Sequence, residues 1–440
     1  MDWLNRKKTI SGKYFKVATA TPAWALIAAF GTYFCMYGFR RPYTAATYND
    51  GVLLGLDYKI LLIIAQTLGY VVAKWIGIKI VSEVKPTHRI MAILSLIGFA
   101  ELMLFAFGWV PRPWNLIVIF LNGLPLGVIF GLVLGFLEGR KNTEFLIAGL
   151  CTSFIVSDGV SKSVGALLLQ FGVTENWMPF FAGLVFMLPT LLFIGMLACI
   201  PPPTEKDIAD RSAREPMTGA DRLAFFTKYA TGLISITLVY LFVTLLRSVR
   251  ADFTVEIWAG LGYKQTPDLF TRSELLVSFG VIVVTALAVL IKNHYNAFRF
   301  SLFTSLLGFI VVLAAVAGLE RGMDAFIFMV LTGLGVYLPY VAIHAVVFER
   351  LIAMTRERAN VGFLMYIVDS VGYTGYIVLM LLRYLLPASD SILDVFLKIS
   401  IGLSITGILL LICAYLYFNI KLKNNEQRVR KITARSGCAI

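Results

Sequence analysis

Twelve stretches of this chain are long and nearly free of charge, and they decide the solvent in which it folds. A helix needs about 20 apolar residues to cross the hydrocarbon core of a bilayer. The stretches lie near 20–42, 57–80, 89–109, 114–138, 145–170, 178–200, 231–250, 271–292, 298–319, 325–348, 360–386 and 393–419. Lipid offers no partner to backbone N–H and C=O groups, so each stretch is predicted to be a transmembrane helix. Only 15% of the residues are charged. A soluble domain carries about 25%, so a water-soluble fold is excluded. The expected fold class is an all-α membrane protein with twelve transmembrane helices.

The net charge of +13 raises nucleic acid as a partner, but the distribution argues for lipid instead. Lys and Arg collect at the N-terminus, around Lys79–Arg89, at Arg140–Lys141, in 201–230, at Lys292–Arg299, at Arg350–Arg358 and in the tail after Lys421. With twelve spans these segments share one side, which the positive-inside rule assigns to the cytoplasm. Both termini are therefore expected to be cytoplasmic, in a multi-pass protein of the inner membrane. No small-residue cleavage site closes the first apolar stretch, so it is expected to stay as the first span. Five scattered cysteines show neither pairing nor metal spacing and are expected to be structural thiols.

The longest polar stretch, 201–230, opens with Pro201-Pro202-Pro203 and separates six spans from six. The expected organisation is a six-helix bundle over 1–200, a linker over 201–230, a second bundle over 231–420 and a basic tail over 421–440. Charged residues inside the spans repeat at about half the chain length. Arg40 and Arg247 are 207 positions apart, while Glu138 and Glu349, like Asp158 and Asp369, are 211 apart. Ionised groups at membrane depth cost several kcal/mol and need a compensating reason. A repeat in their spacing points to two homologous halves with a binding site between them.

Each charge has a plain reading beside the functional one. Arg40 and Arg41 either snorkel at the end of the first span or bind an anion, for which a planar guanidinium is suited. Lys74 either reaches the interface near Lys79 or faces a cavity. Arg247 matches Arg40, with Asp252 and Glu256 as nearby partners for Arg247 and Arg250. Asp158 and Lys162 are four apart and can neutralise one another on one helix face. Asp369 has no basic neighbour in its span before Arg383, so it needs a partner from another helix or a bound proton. Glu138 and Glu349 are expected to form gating or structural salt bridges. His344 is read first as a residue hydrogen-bonded within the bundle, and second as a proton-coupling group.

Six spans plus six with a basic middle linker resembles the layout of the major facilitator superfamily, with its two pseudo-symmetric six-helix bundles. Tyr33…Tyr37-Gly-Phe-Arg40-Arg41, Tyr70-Val-Val-Ala-Lys74, Val239-Tyr-Leu-Phe-Val-Thr-Leu-Leu-Arg247 and Tyr337-Leu-Pro339…His344 resemble helix motifs of its organophosphate:phosphate antiporters. That resemblance implies that Arg40 and Arg247 clamp a phosphate. It also implies that Lys74 and Arg41 add positive potential while Tyr33, Tyr37 and Tyr70 line the cavity. Asp158 stands where that family has a histidine, and the loop motif after the second span is degraded to Gly77…Glu83-Val-Lys85.

The expected function is a secondary transporter of a small organic anion, with sugar phosphates favoured, acting as an antiporter or a proton symporter. A membrane-embedded anion sensor and a transporter of zwitterionic or peptide-like solutes are the alternatives. No P-loop, H-E-x-x-H, C-x-x-C or G-x-S-x-G motif occurs, so no enzyme, cofactor or metal site is expected. The expected partners are a small anionic solute and the lipid bilayer, with no nucleic acid, and the protein is expected to be a monomer.

Overall fold

The computed structural model describes residues 21–48, 52–53, 55–84, 86–137, 143–201, 219–263, 267–355, 361–382 and 391–436. Among these, twelve helices are long and apolar enough to cross a membrane. In chain order they are α1 (Pro22–Met36), α2 (Tyr58–Glu83), α3 (Arg89–Trp109), α4 (Asn115–Leu137), α5 (Thr143–Gln170) and α6 (Met178–Ala198). The second six are α7 (Ala230–Asp252), α8 (Pro267–Leu290), α9 (His294–Glu320), α10 (Ala325–Ala342, continuing to Thr355), α11 (Val361–Leu382) and α12 (Ile392–Ser436). A two-residue hairpin, β1 (Val52–Leu53) with β2 (Leu56–Asp57), sits between α1 and α2. The end of the bundle where α1 begins and α6 leaves for the linker is called here the linker face, and the opposite end the far face.

The helix boundaries follow local chemistry. Thr21 caps α1 by accepting from Trp24 N–H at 3.3 Å, with Pro22 in the first turn, where a missing N–H costs nothing. Asn293 starts α9 five residues before the apolar run, because its side chain accepts from Asn296 N–H. Asp324 caps α10 through Phe326 and Ile327 N–H. On the far face, Gly172 and Gly322 end α5 and α9 in the left-handed region, where the N–H of the next residue (Val173, Met323) returns to the helix and only glycine is unstrained. α12 continues as helix well beyond its apolar span, to Ser436.

α3, α6, α9 and α12 are peripheral, burying 33, 33, 44 and 28% of their apolar windows against 61, 72, 72 and 67% for α1, α4, α7 and α10, and α8 is also largely exposed at 39%. Side chains such as Leu102, Leu188, Phe303 and Leu409 face outward, where lipid is the solvent. The halves meet where α2 packs on α11 and α5 on α8.

Within the first half, α2 and α4 approach backbone to backbone. A Cβ on Gly69 would lie 2.1 Å from the Phe120 carbonyl oxygen, and one on Gly123 would lie 2.3 Å from that of Gln66. Without a hydrophobic drive between helices in lipid, small residues at such crossings supply the packing. Gly123→Val is therefore expected to lower the unfolding temperature of the purified protein, at a cost of about 2 kcal/mol or more. Gly98→Ala, whose methyl meets nothing within 4 Å, should leave it unchanged. Equal melting of both variants would show that the contact does not support the fold.

Candidate functional site

The first span does not run straight to the membrane surface. α1 gives way to short tight turns at Tyr37–Phe39 and Pro42–Ala45, and this segment stays buried. Breaking a helix at membrane depth frees carbonyl groups that must find donors. Asn122 donates to the Phe39 carbonyl and Gln66 to that of Arg40, at 3.2 and 3.0 Å. Thr44 Oγ1 donates to the Arg41 carbonyl, and Lys59 Nζ donates to that of Thr44. These bonds hold Arg40 and Arg41 inside the bundle at 3% exposure each, and neither snorkels.

Arg40 and Arg247 come from opposite halves and surround one phenol ring. Their guanidinium carbons lie 6.0 and 5.8 Å from the centroid of Tyr373. Arg40 stacks over Tyr70 at 3.9 Å, and Arg247 over Tyr340 at 4.6 Å while donating to Tyr373 Oη at 3.1 Å. Neither has a carboxylate partner among the described residues. Arg40 Nε and Nη1 and Arg247 Nε are buried donors without any acceptor. Tyr37 lies 5.7 Å from Arg40 and packs edge-on against Tyr33.

The other cations buried in the seam between the halves are paired with carboxylates. Lys74 faces inward and pairs with Asp369 at 2.6 Å across the α2–α11 seam, which supplies the partner Asp369 lacks in its own span. Asp369 also accepts from Tyr240 Oη, and that hydroxyl lies 3.1 Å from His344 Nδ1. His344 sits in a π-helical turn, Ile343–Val347, that interrupts the tenth span. Arg41 contacts both Asp158 and Asp252, so it does not add free positive potential in this conformation. Asp158 is bonded to Lys162, as their spacing suggests.

Asp252 and Glu256 do not serve Arg247 and Arg250, the arginines next to them in the chain. Asp252 takes Arg41 and Tyr376, Glu256 takes Lys59 at 2.5 Å, and Arg250 instead pairs with Glu274 of α8 at 2.7 Å. Sequence reasoning passed over Tyr373, Tyr340, Tyr240 and Glu274, because tyrosines in an aromatic-rich span carry no signal of their own. Glu138 lies outside the described residues, as do Arg140, Lys141 and the linker core. Glu349 is half-buried beside Arg350 in α10.

Depth separates the two aspartates that share a spacing. Asp158 belongs to the far-face seam with Arg41 and Asp252. Asp369 lies beside Tyr240, which is seven residues, about two turns, toward the linker face from Arg247. Arg40 and Arg247, by contrast, meet at one level around Tyr373.

The far face is closed by bonds between the halves: Arg41 to Asp252, Lys59 to Glu256, Lys162 to the Ala251 carbonyl, and Ser163 to the Pro267 carbonyl. Toward the linker face a crevice of about 200 Å³ opens between α1, α5 and α8, walled by Leu26, Phe30, Ala148 and Ile282. With Arg40 and Arg247 at 3 and 2% exposure, the centre is occluded.

Twelve helices in two six-helix halves, joined through α2–α11 and α5–α8 around a buried polar centre, make this an integral multi-pass membrane protein of the major facilitator fold. Among solved structures it is similar to a D-xylose-proton symporter, at 12% identity and a TM-score of 0.58, over 89% of this chain and 97% of that one. Residues 42–421 match the family described as "Family of unknown function (DUF5690)", and the chain belongs to that family. No curated protein matches the sequence.

A buried pair broken on one side leaves an uncompensated charge, which typically costs about 3–5 kcal/mol. Asp369→Asn alone should therefore lower thermal stability sharply, whereas Lys74→Met combined with Asp369→Leu should recover most of the loss. Equal melting of single and double variants would show that the two groups do not depend on one another.

Proposed function

We propose that this protein is a secondary active transporter of a small organic anion, working by alternating access, with phosphate monoesters as the favoured substrates. One observation carries the reading: two buried arginines from opposite halves, without carboxylate partners, hold unsatisfied N–H donors around a single tyrosine. Native proteins rarely leave buried donors unpaired without a functional reason. The five other cations buried with them (Arg41, Lys59, Lys74, Lys162, Arg250) each have a carboxylate, so the two arginines are the uncompensated charge of the centre. A phosphate monoester carries about −1.5 to −2 near neutral pH and offers acceptors matched to two guanidinium forks.

The anion would enter when the halves part at the linker face, and would bridge Arg40 to Arg247. Drawing the arginines together competes with the far-face bonds, so release on the opposite side follows from exchanging one set of charges for the other. The linker face is assigned to the cytoplasm of the inner membrane because Arg89, Lys292, Arg299, Arg350 and Lys421 cluster there.

Asp369 favours proton coupling as a second element. Its protonation would free Lys74 and loosen the α2–α11 seam, with Tyr240 and His344 as the next hydrogen-bonding groups. The similar solved structure is named a proton symporter, which supports testing this arm.

The test is uptake and counterflow in proteoliposomes with sugar phosphates, inorganic phosphate, carboxylates, amino acids and neutral sugars, with and without a pH gradient. Arg40→Lys and Arg247→Lys should each reduce anion uptake at subsaturating substrate by at least about tenfold, because a point charge does not replace a planar fork. Full uptake by both variants sinks the clamp. Binding without flux makes the protein a sensor, and a gradient without effect removes Asp369 as a coupling group.

A further inference from the structure

On the lipid-facing side of the second half, near the linker face, a groove of about 460 Å³ lies between α9 and α12. Phe300, Phe303, Leu306, Leu411 and Ile412 wall it, with Phe303 and Ile412 open to the surroundings. One cation stands at its rim. Arg299 donates to Tyr415 Oη at 2.7 Å, and its guanidinium carbon lies 5.4 and 5.3 Å from the Tyr295 and Tyr415 rings. Tyr295 is itself fixed by donating to Asn419 at 2.5 Å. Arg299 is exposed and has no carboxylate partner among the described residues, so two tyrosines hold a charged fork in place without neutralising it.

Depth orders these parts. Arg299 is five residues into α9, at roughly 8 Å along the axis, while Leu306 is about two turns deeper and Leu411 about one turn deeper than Tyr415. The charge thus stands at headgroup height and the apolar walls at acyl-chain height. Lys292, exposed just before α9, adds to the positive surface at this end. Basic pockets between transmembrane helices on the cytoplasmic side are suited to acidic headgroups.

We propose that this groove holds one anionic phospholipid, with an acyl chain between α9 and α12 and the phosphate on Arg299. The walls are apolar and face the bilayer, which selects an occupant with a chain. Tyr415 uses one guanidinium N–H, and the remaining donors are available to phosphate oxygens. The site shares no residue with the Arg40–Arg247 centre.

The test uses the full-length protein in mild detergent, incubated with phosphatidylglycerol or with phosphatidylcholine of the same chains, and counts retained lipid by native mass spectrometry. One phosphatidylglycerol per chain should persist, and phosphatidylcholine should not. Arg299→Gln should lower that retention at least tenfold. Leu306→Trp, which fills the groove and keeps the charge, should do the same, while Arg321→Gln on the far face should not. Equal retention of the two lipids, or unchanged retention in Arg299→Gln or Leu306→Trp, overturns the site. So does a dimer that Leu306→Trp dissolves, because the groove would then hold a second copy of the chain.

Discussion

The interior of this protein is governed by what an ionised group costs where water is absent. Seven cations, Arg40, Arg41, Lys59, Lys74, Lys162, Arg247 and Arg250, are buried in or beside the seam between the halves. Coulomb attraction strengthens as the local dielectric falls, so five of them, all but Arg40 and Arg247, pair with carboxylates, and several of those carboxylates lie in the opposite half. The same economy acts on the backbone. Where α1 breaks, Asn122, Gln66, Thr44 and Lys59 take up the freed carbonyls, and the arginines are carried inward with them. Closure of the far face and placement of the centre are therefore two results of one constraint.

That constraint also sorts the charges by role. Arg41, Lys59 and Lys162 hold the halves together at the far face, and Lys74 joins them nearer the linker face. Arg40 and Arg247 are shielded only by tyrosine rings, whose π faces lessen the penalty without cancelling the charge. A group left in that state is held ready for a counter-charge from outside the chain. Two other pieces serve geometry rather than charge. The glycine contact of α2 with α4 fixes the crossing from which Tyr70 and Lys74 project, and the π turn of α10 sets His344 beside Tyr240.

Several features were legible because a single residue type carries them. The twelve spans follow from length and hydropathy. The depth shared by Arg40 and Arg247 follows from a repeat in the first helix of each half. The spacing of Asp158 and Asp369 looks the same on paper, yet the two lie in different layers, because helix start and loop length shift the register of α5 against α11. Pairing was the least legible property. Asp252 and Glu256 lie close to Arg250 in the chain, but Arg41, Lys59 and Glu274 reach these groups from other helices.

By itself the sequence determined that this chain lives in a bilayer, crosses it twelve times in two halves, and buries basic residues that an aqueous fold would expose. Hydropathy and helix length are local quantities, and lipid permits few ways to satisfy them. Only the tertiary structure decided which cations are neutralised and which stay uncompensated. Partner choice depends on depth and helix rotation to within a few ångströms, and neither quantity is written in residue spacing.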